Sequence, residues 1–169
     1  LGFRENTIVH FSGFTPESNG ATQIEIVLPD DAHMADNRKA WIQNTNEFDC
    51  AYASGSGADQ GWGFATAGEE GVFYAKYHVS GTARVKDVKA FMTTDTANVG
   101  QTVFGMVLDE SGAVTGRSDE YVIQPSDLGT WLVLPVLEPP VFMDSDFYSG
   151  LGVRAGTTGY FALGVQDEN

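Results

Sequence analysis

The chain has 169 residues, of which 42% are hydrophobic, 20 are glycine and only 19% are charged. This length can bury a real hydrophobic core, and abundant glycine with many aromatic residues favours an all-β protein over a helical bundle. The formal net charge of −14 argues against binding nucleic acid or an anionic membrane, because both need clustered Lys and Arg. It fits an extracellular surface, or a charge that only maintains solubility.

Cys50 is the single cysteine, so no internal disulfide can form. It lies in the alternating run of residues 48–52, which indicates a small buried residue and not a reactive thiol. No segment is long and apolar enough to span a membrane as a helix. The chain opens on Leu1 instead of Met, which predicts a processed chain or a piece of a longer protein.

The first third predicts three strands and one short helix. Alternating apolar residues indicate strands at residues 7–14, 23–28 and 47–53. Residues 31–41 form the one plausible helix, because Asp30 or Asp31 can cap it and several alanines follow. Residues 54–61 are rich in glycine and serine and predict a flexible loop.

The remainder predicts strands throughout. They fall at residues 71–79, 83–92, 100–109, 120–124, 131–135, 147–153 and 160–165. A compact turn is predicted at residues 109–112, and Phe73, Ala75, Tyr77 and Val79 should share one face of their strand. About ten or eleven short strands predict one domain over residues 1–169. The fold class is a two-sheet antiparallel β-sandwich, jelly-roll-like, with at most one short helix.

Several motifs follow one another in the C-terminal half. In order they are VKAF at residues 88–91, DESG at 109–112, W-x-x-hydrophobic from Trp131, Pro140-Val141 and DFY-x-G at 146–150. This order resembles that of jelly-roll-like modules in secreted and cell-surface proteins of Bacteroidetes-type bacteria. The resemblance implies export and a non-catalytic sandwich that serves adhesion, ligand binding or architecture. It supplies no catalytic residue.

Aromatic residues are the candidates for ligand binding. Sandwich proteins recognise carbohydrate with exposed rings beside hydrogen-bonding side chains, and the candidates are Trp62, Phe64, Tyr74 and Trp41. Trp62-Gly63-Phe64 lies between glycines and is either a ligand platform or an aromatic plug at the sandwich edge. Trp131 is expected in the core, where it and Phe147 would hold the two sheets together.

Calcium is the one metal that the sequence suggests. Calcium needs several carboxylate and carbonyl oxygens on loops, and the candidate ligands are Asp144, Asp146, Asp30 and Asp31. The alternative is that these residues only form turns. A single cysteine and three scattered histidines cannot build a zinc site.

The sequence favours a non-enzymatic protein. His10, His33 and His78 lie in unrelated segments, no Gly-x-Ser-x-Gly motif is present, and most acidic residues fall in predicted turns. We therefore expect an extracellular or bacterial cell-surface module for adhesion or structural assembly. The alternative is a carbohydrate-binding module, with or without calcium, of a larger secreted protein. Expected partners are glycans, surface proteins or further copies, since residues 8–14 could pair with a neighbour's sheet edge to form an oligomer or filament.

Overall fold

The computed structural model describes residues 20–28, 37–45, 49, 51 and 57–166. The chain divides into two compact units, Leu1–Cys50 and Ala51–Asn169. The predicted strand at residues 7–14 lies outside the described residues, as does most of the one at 47–53. One sandwich domain over residues 1–169 stays a prediction.

The first unit contributes an antiparallel hairpin. Strand β1 (Gly20–Val27) pairs with β2 (Arg38–Thr45). The Glu25 carboxylate accepts hydrogen bonds from the Arg38 guanidinium across the two strands, an exposed pair of the kind that contributes little to stability.

The second strand of this hairpin overlaps the helix predicted at residues 31–41. Residues 38–41 belong to β2, so the helix prediction is wrong there, and residues 31–36 lie outside the described residues. The physical reason is that β1 supplies backbone partners along the whole of β2, which local helix propensity does not reveal.

The second unit is built from strands and two single-turn 3₁₀ segments, Thr96–Asn98 and Pro125–Asp127. Its strands are β3 (Gln60–Phe64), β4 (Gly71–His78), β5 (Thr82–Arg84), β6 (Asp87–Phe91), β7 (Thr102–Asp109), β8 (Val114–Arg117), β9 (Tyr121–Val122), β10 (Trp131–Pro135), β11 (Val141–Met143), β12 (Asp146–Val153) and β13 (Tyr160–Val165). All their pairings are antiparallel.

A five-stranded sheet forms one layer of this unit. Its order is β4-β12-β7-β8, and β9 also pairs with β7. The opposing pairs are β10 with β6 and β13 with β3, linked through a bridge between Met92 and Leu163, while β11 pairs with β5. The all-β, sandwich-like fold class is thus confirmed; its jelly-roll description stays a prediction.

The core lies between these layers. Val88, Ala90 and Met92 all point inward, as the alternation predicted. They belong to a buried cluster with Val103, Val107, Leu132, Leu134, Phe147, Leu151 and Val153. Phe147 stacks on Phe142 with ring centroids 4.8 Å apart, and its predicted core position is confirmed.

Three local predictions need correction. Trp131 is 39% exposed and packs edge-on against Phe91, so its predicted core position is wrong. The predicted strand at 83–92 is divided into β5 and β6, and Gln60 and Gly61, predicted in a loop, begin β3. Trp131-Leu132-Val133-Leu134 is apolar on both faces, and the two leucines, not the Trp, take the inward positions.

Candidate functional site

Aromatic and charged side chains gather on the solvent side of the five-stranded sheet. Tyr74, Lys76 and His78 on β4 are exposed, while the intervening residues point toward the core. The register places Tyr148 opposite Lys76 and Asp146 opposite His78 on β12. These five residues define what is called the outer face below.

Two tyrosines form the centre of this face. The Tyr74 and Tyr148 rings meet edge-on, with centroids 5.5 Å apart and planes at 73°. Tyr74 is 57% exposed. Both rings line a shallow depression of about 200 Å³, whose other walls are Leu108, Glu110, Ser111 and Gly112.

The turn between β7 and β8 forms the opposite wall. Asp109 Oδ1 accepts hydrogen bonds from the Ser111 N–H (2.9 Å), the Ser111 hydroxyl (2.6 Å) and the Ala113 N–H (3.0 Å). These hydrogen bonds lower the pKa of Asp109, and the bond from the Ser111 hydroxyl is the largest cause. The turn is thereby held in one shape, and Glu110 is exposed beside the tyrosines.

A charged network orders the next part of the outer face. The Asp146 carboxylate binds Lys76 Nζ at 2.6 Å and His78 Nδ1 at 2.8 Å. The hydrogen bond from Lys76, followed by that from His78, lowers the pKa of Asp146. The Asp146 carboxylate is thus paired with two side chains of β4.

The four predicted ligand-binding residues are not all brought together. Tyr74 lies on the outer face. Trp62 is 52% exposed but contacts Phe73 at 6.1 Å between ring centroids, and Phe64 contacts Phe73 at 5.3 Å. Phe73 precedes Tyr74 and therefore points to the opposite side of β4.

Trp62 and Phe64 therefore both contact Phe73, away from Tyr74, and the ligand-platform and aromatic-plug interpretations of this pair both stay predictions. Trp41 lies on β2, but its side chain is outside the described residues.

The two predicted calcium ligands near β12 have structural partners. Asp144 Oδ1 accepts from the Gly81 N–H at 2.6 Å, and the Asp144 N–H donates to the Gly81 carbonyl at 2.8 Å. Asp146 is held by Lys76 and His78. Across residues 57–166 and the other described segments, no three His, Cys, Asp or Glu side chains form a metal-binding group. Asp30 and Asp31 lie outside the described residues, and calcium binding stays a prediction.

Sequence reasoning missed Tyr148, Glu110 and Ser111 as site residues. One signal was available for Tyr148: it follows the buried Phe147, so strand alternation places it on the opposite face. No local signal places residues 110 and 111 beside Tyr74. That proximity depends on β12 pairing with both β4 and β7.

Within the described segments, no helix is long and apolar enough to cross a membrane. No protein-family model, curated protein or solved structure shows significant similarity to the chain.

Proposed function

We propose that the chain is a non-enzymatic adhesion module, extracellular or on a bacterial cell surface, that binds a saccharide on its outer face. The observation that carries this proposal is the exposed Tyr74 ring against the half-buried Tyr148 ring beside the depression. Aromatic rings stack on the apolar faces of sugar rings, and the Ser111 hydroxyl and Glu110 carboxylate supply hydrogen-bonding groups at the same place.

The size of the depression favours an open platform. At about 200 Å³ it is smaller than the roughly 300–1,000 Å³ of pockets that enclose a small molecule. A platform of this size contacts a short part of a longer chain, which suits attachment to a polymer.

The carboxylates of this face support binding without cleavage. Glycoside hydrolysis ordinarily requires two carboxyl groups flanking the scissile bond. Asp146 is held by Lys76 and His78, and Asp109 by its own turn. Among the residues lining the depression, Glu110 is the one carboxylate. The acidic net charge and the resemblance to secreted modules support the extracellular setting.

Glycan binding by the purified chain tests this proposal. An array of oligosaccharides identifies a ligand, and calorimetry then compares the wild type with Tyr74→Ala and Tyr148→Ala, in calcium and in a chelator. We expect each variant to bind about 2- to 12-fold more weakly, since an aromatic contact contributes about 0.5–1.5 kcal/mol.

Trp62→Ala is the matched control, because it removes an exposed ring that lies away from the outer face. Failure to bind any saccharide class, or equal weakening by Trp62→Ala and Tyr74→Ala, would contradict the proposed site.

A further inference from the structure

We infer that the saccharide bound on the outer face carries a protonated amine, as in a polymer of glucosamine units with free amino groups. This inference rests on the proposed saccharide-binding function. It adds the charge of the ligand, which follows from the groups that surround the depression.

The tyrosine pair suits a cation. The face of an aromatic ring carries a negative quadrupole, and ammonium groups bind against two or more such rings. Tyr74 and Tyr148 present planes at 73° to each other along one depression, so they form two walls of a corner. A protonated amine in this corner contacts both rings.

Glu110 supplies the countercharge. Its carboxylate is exposed in the same depression and forms no ion pair with any described residue. Glu110 also contributes to the raised pKa of Lys76, but the hydrogen bond from Lys76 to Asp146 is the first cause of that shift. Lys76 is thus engaged by Asp146, and the Glu110 carboxylate remains accessible to a ligand.

The charges of the whole face favour the same ligand. The ionisable side chains on or beside it are Glu110, Asp109, Asp146, Lys76 and His78. Even with His78 counted as a cation, three carboxylates face two cations, so the face keeps a net negative charge and an anionic sugar would be repelled. The net charge of −14 also attracts a polycation to the protein as a whole, beyond the site itself.

A matched pair of oligosaccharides tests the inference. The probes are the hexamer of β-1,4-linked glucosamine and the N-acetylated hexamer, which differ only in whether each amine is free. Calorimetry below the pKa of the sugar amine and at low salt should show about 2- to 30-fold tighter binding of the free-amine hexamer, the range of a cation–π contact at exposed to desolvated sites. Glu110→Gln should remove most of this preference.

Two controls separate the site from the general charge. Glu138→Gln changes the net charge equally at an exposed residue outside the depression, and it should keep the preference. A lysine-rich peptide of similar charge tests whether any polyamine suffices.

The outcomes are distinguishable. If neither hexamer binds and no other saccharide does, the proposed function fails and the inference with it. If the hexamers bind equally and Glu110→Gln changes nothing, the inference fails while saccharide binding stands. If the lysine-rich peptide binds as tightly as the free-amine hexamer and depends on Glu110, the saccharide assignment is overturned.

Discussion

The ring of Phe104 lies directly on the backbone of Gly152, across the pairing of β7 with β12. A Cβ atom at residue 152 would overlap the Phe104 ring. Above the ring lie the guanidinium groups of Arg117 and Arg154, at 4.0 and 5.0 Å from its centroid. Glu120 accepts hydrogen bonds from both arginines, at 3.0 and 2.8 Å, and this cluster closes one end of the five-stranded sheet.

This close approach predicts the effect of Gly152→Ala. The added methyl group must displace the Phe104 ring and with it the two arginines, so we expect a loss of about 1–3 kcal/mol in the free energy of unfolding. Urea denaturation measures the loss. Phe104→Leu completes a double-mutant cycle with Gly152→Ala. The double variant should lose less free energy of unfolding than the two single variants lose together, because Leu leaves more room for the added methyl group. Equal values would contradict the packing explanation.

The hydroxyl of Tyr160 predicts a response to alkaline pH. It is almost fully buried, donates to the Arg154 carbonyl at 2.6 Å, and has its pKa raised by burial to about 12. Because the folded pKa lies above the ordinary value of 10.0, the unfolded chain releases this proton first, and stability falls between about pH 10 and 12.

Tyr160→Phe should abolish that part of the alkaline loss and cost about 1 kcal/mol at neutral pH through the lost hydrogen bond. Thermal unfolding measured across this pH range tests both expectations. An unchanged alkaline slope in the variant would contradict the role of Tyr160.

The network around Asp146 predicts a response to acid. Its pKa is lowered from the ordinary value of 3.8, chiefly by the hydrogen bond from Lys76. The stabilisation is therefore present above that value and is lost as pH falls through the lower folded pKa. Below about pH 4, the free energy of unfolding of Asp146→Asn should therefore fall less steeply with decreasing pH than that of the wild type.

The matched control is a variant with the same change in charge at another site. Asp119 lies in the connection between β8 and β9, and Asp119→Asn should keep the wild-type dependence of the free energy of unfolding on acid pH. Equal slopes for Asp146→Asn and the wild type in denaturant titrations would show that this network does not contribute.

The turn at Asp144 predicts which property of that side chain matters. Asp144 has a φ of 44° and a side chain that accepts from the Gly81 N–H, and Asn both tolerates this left-handed region and offers an oxygen acceptor. Asp144→Asn should stay close to wild-type stability, while Asp144→Ala should lose about 0.5–1.5 kcal/mol in the free energy of unfolding, because the hydrogen bond is exposed.

The melting temperatures of the wild type and Asp144→Asn, measured with and without calcium, provide a second test at this residue. Carboxylate and amide oxygens can both bind calcium, but Asn supplies no negative charge, so a calcium site at this position should be weakened by Asp144→Asn. If calcium raised the melting temperature of the wild type but not of Asp144→Asn, the turn explanation would be incomplete and the calcium prediction would gain its first support.

The second unit shows how far local patterns reach. The predicted strands at 131–135 and 160–165 coincide with β10 and β13, and the two faces predicted for residues 73–79 are those observed. Strand alternation is a property of consecutive residues, so it can be read without knowing the partners. Val114–Arg117 and Val141–Met143 were missed because they are short and acquire strand geometry by pairing with β7 and β5.

The sequence by itself therefore determined the all-β class, most strands of the second unit and the outward direction of Tyr74. Only the tertiary structure decided which residues accompany Tyr74. Tyr148 and Glu110 reach it because β12 pairs between β4 and β7, and that register joins residues more than thirty positions apart. It also decided that Leu132 and Leu134, and not Trp131, face the core, since a strand apolar on both faces takes its phase from the sheet it packs against.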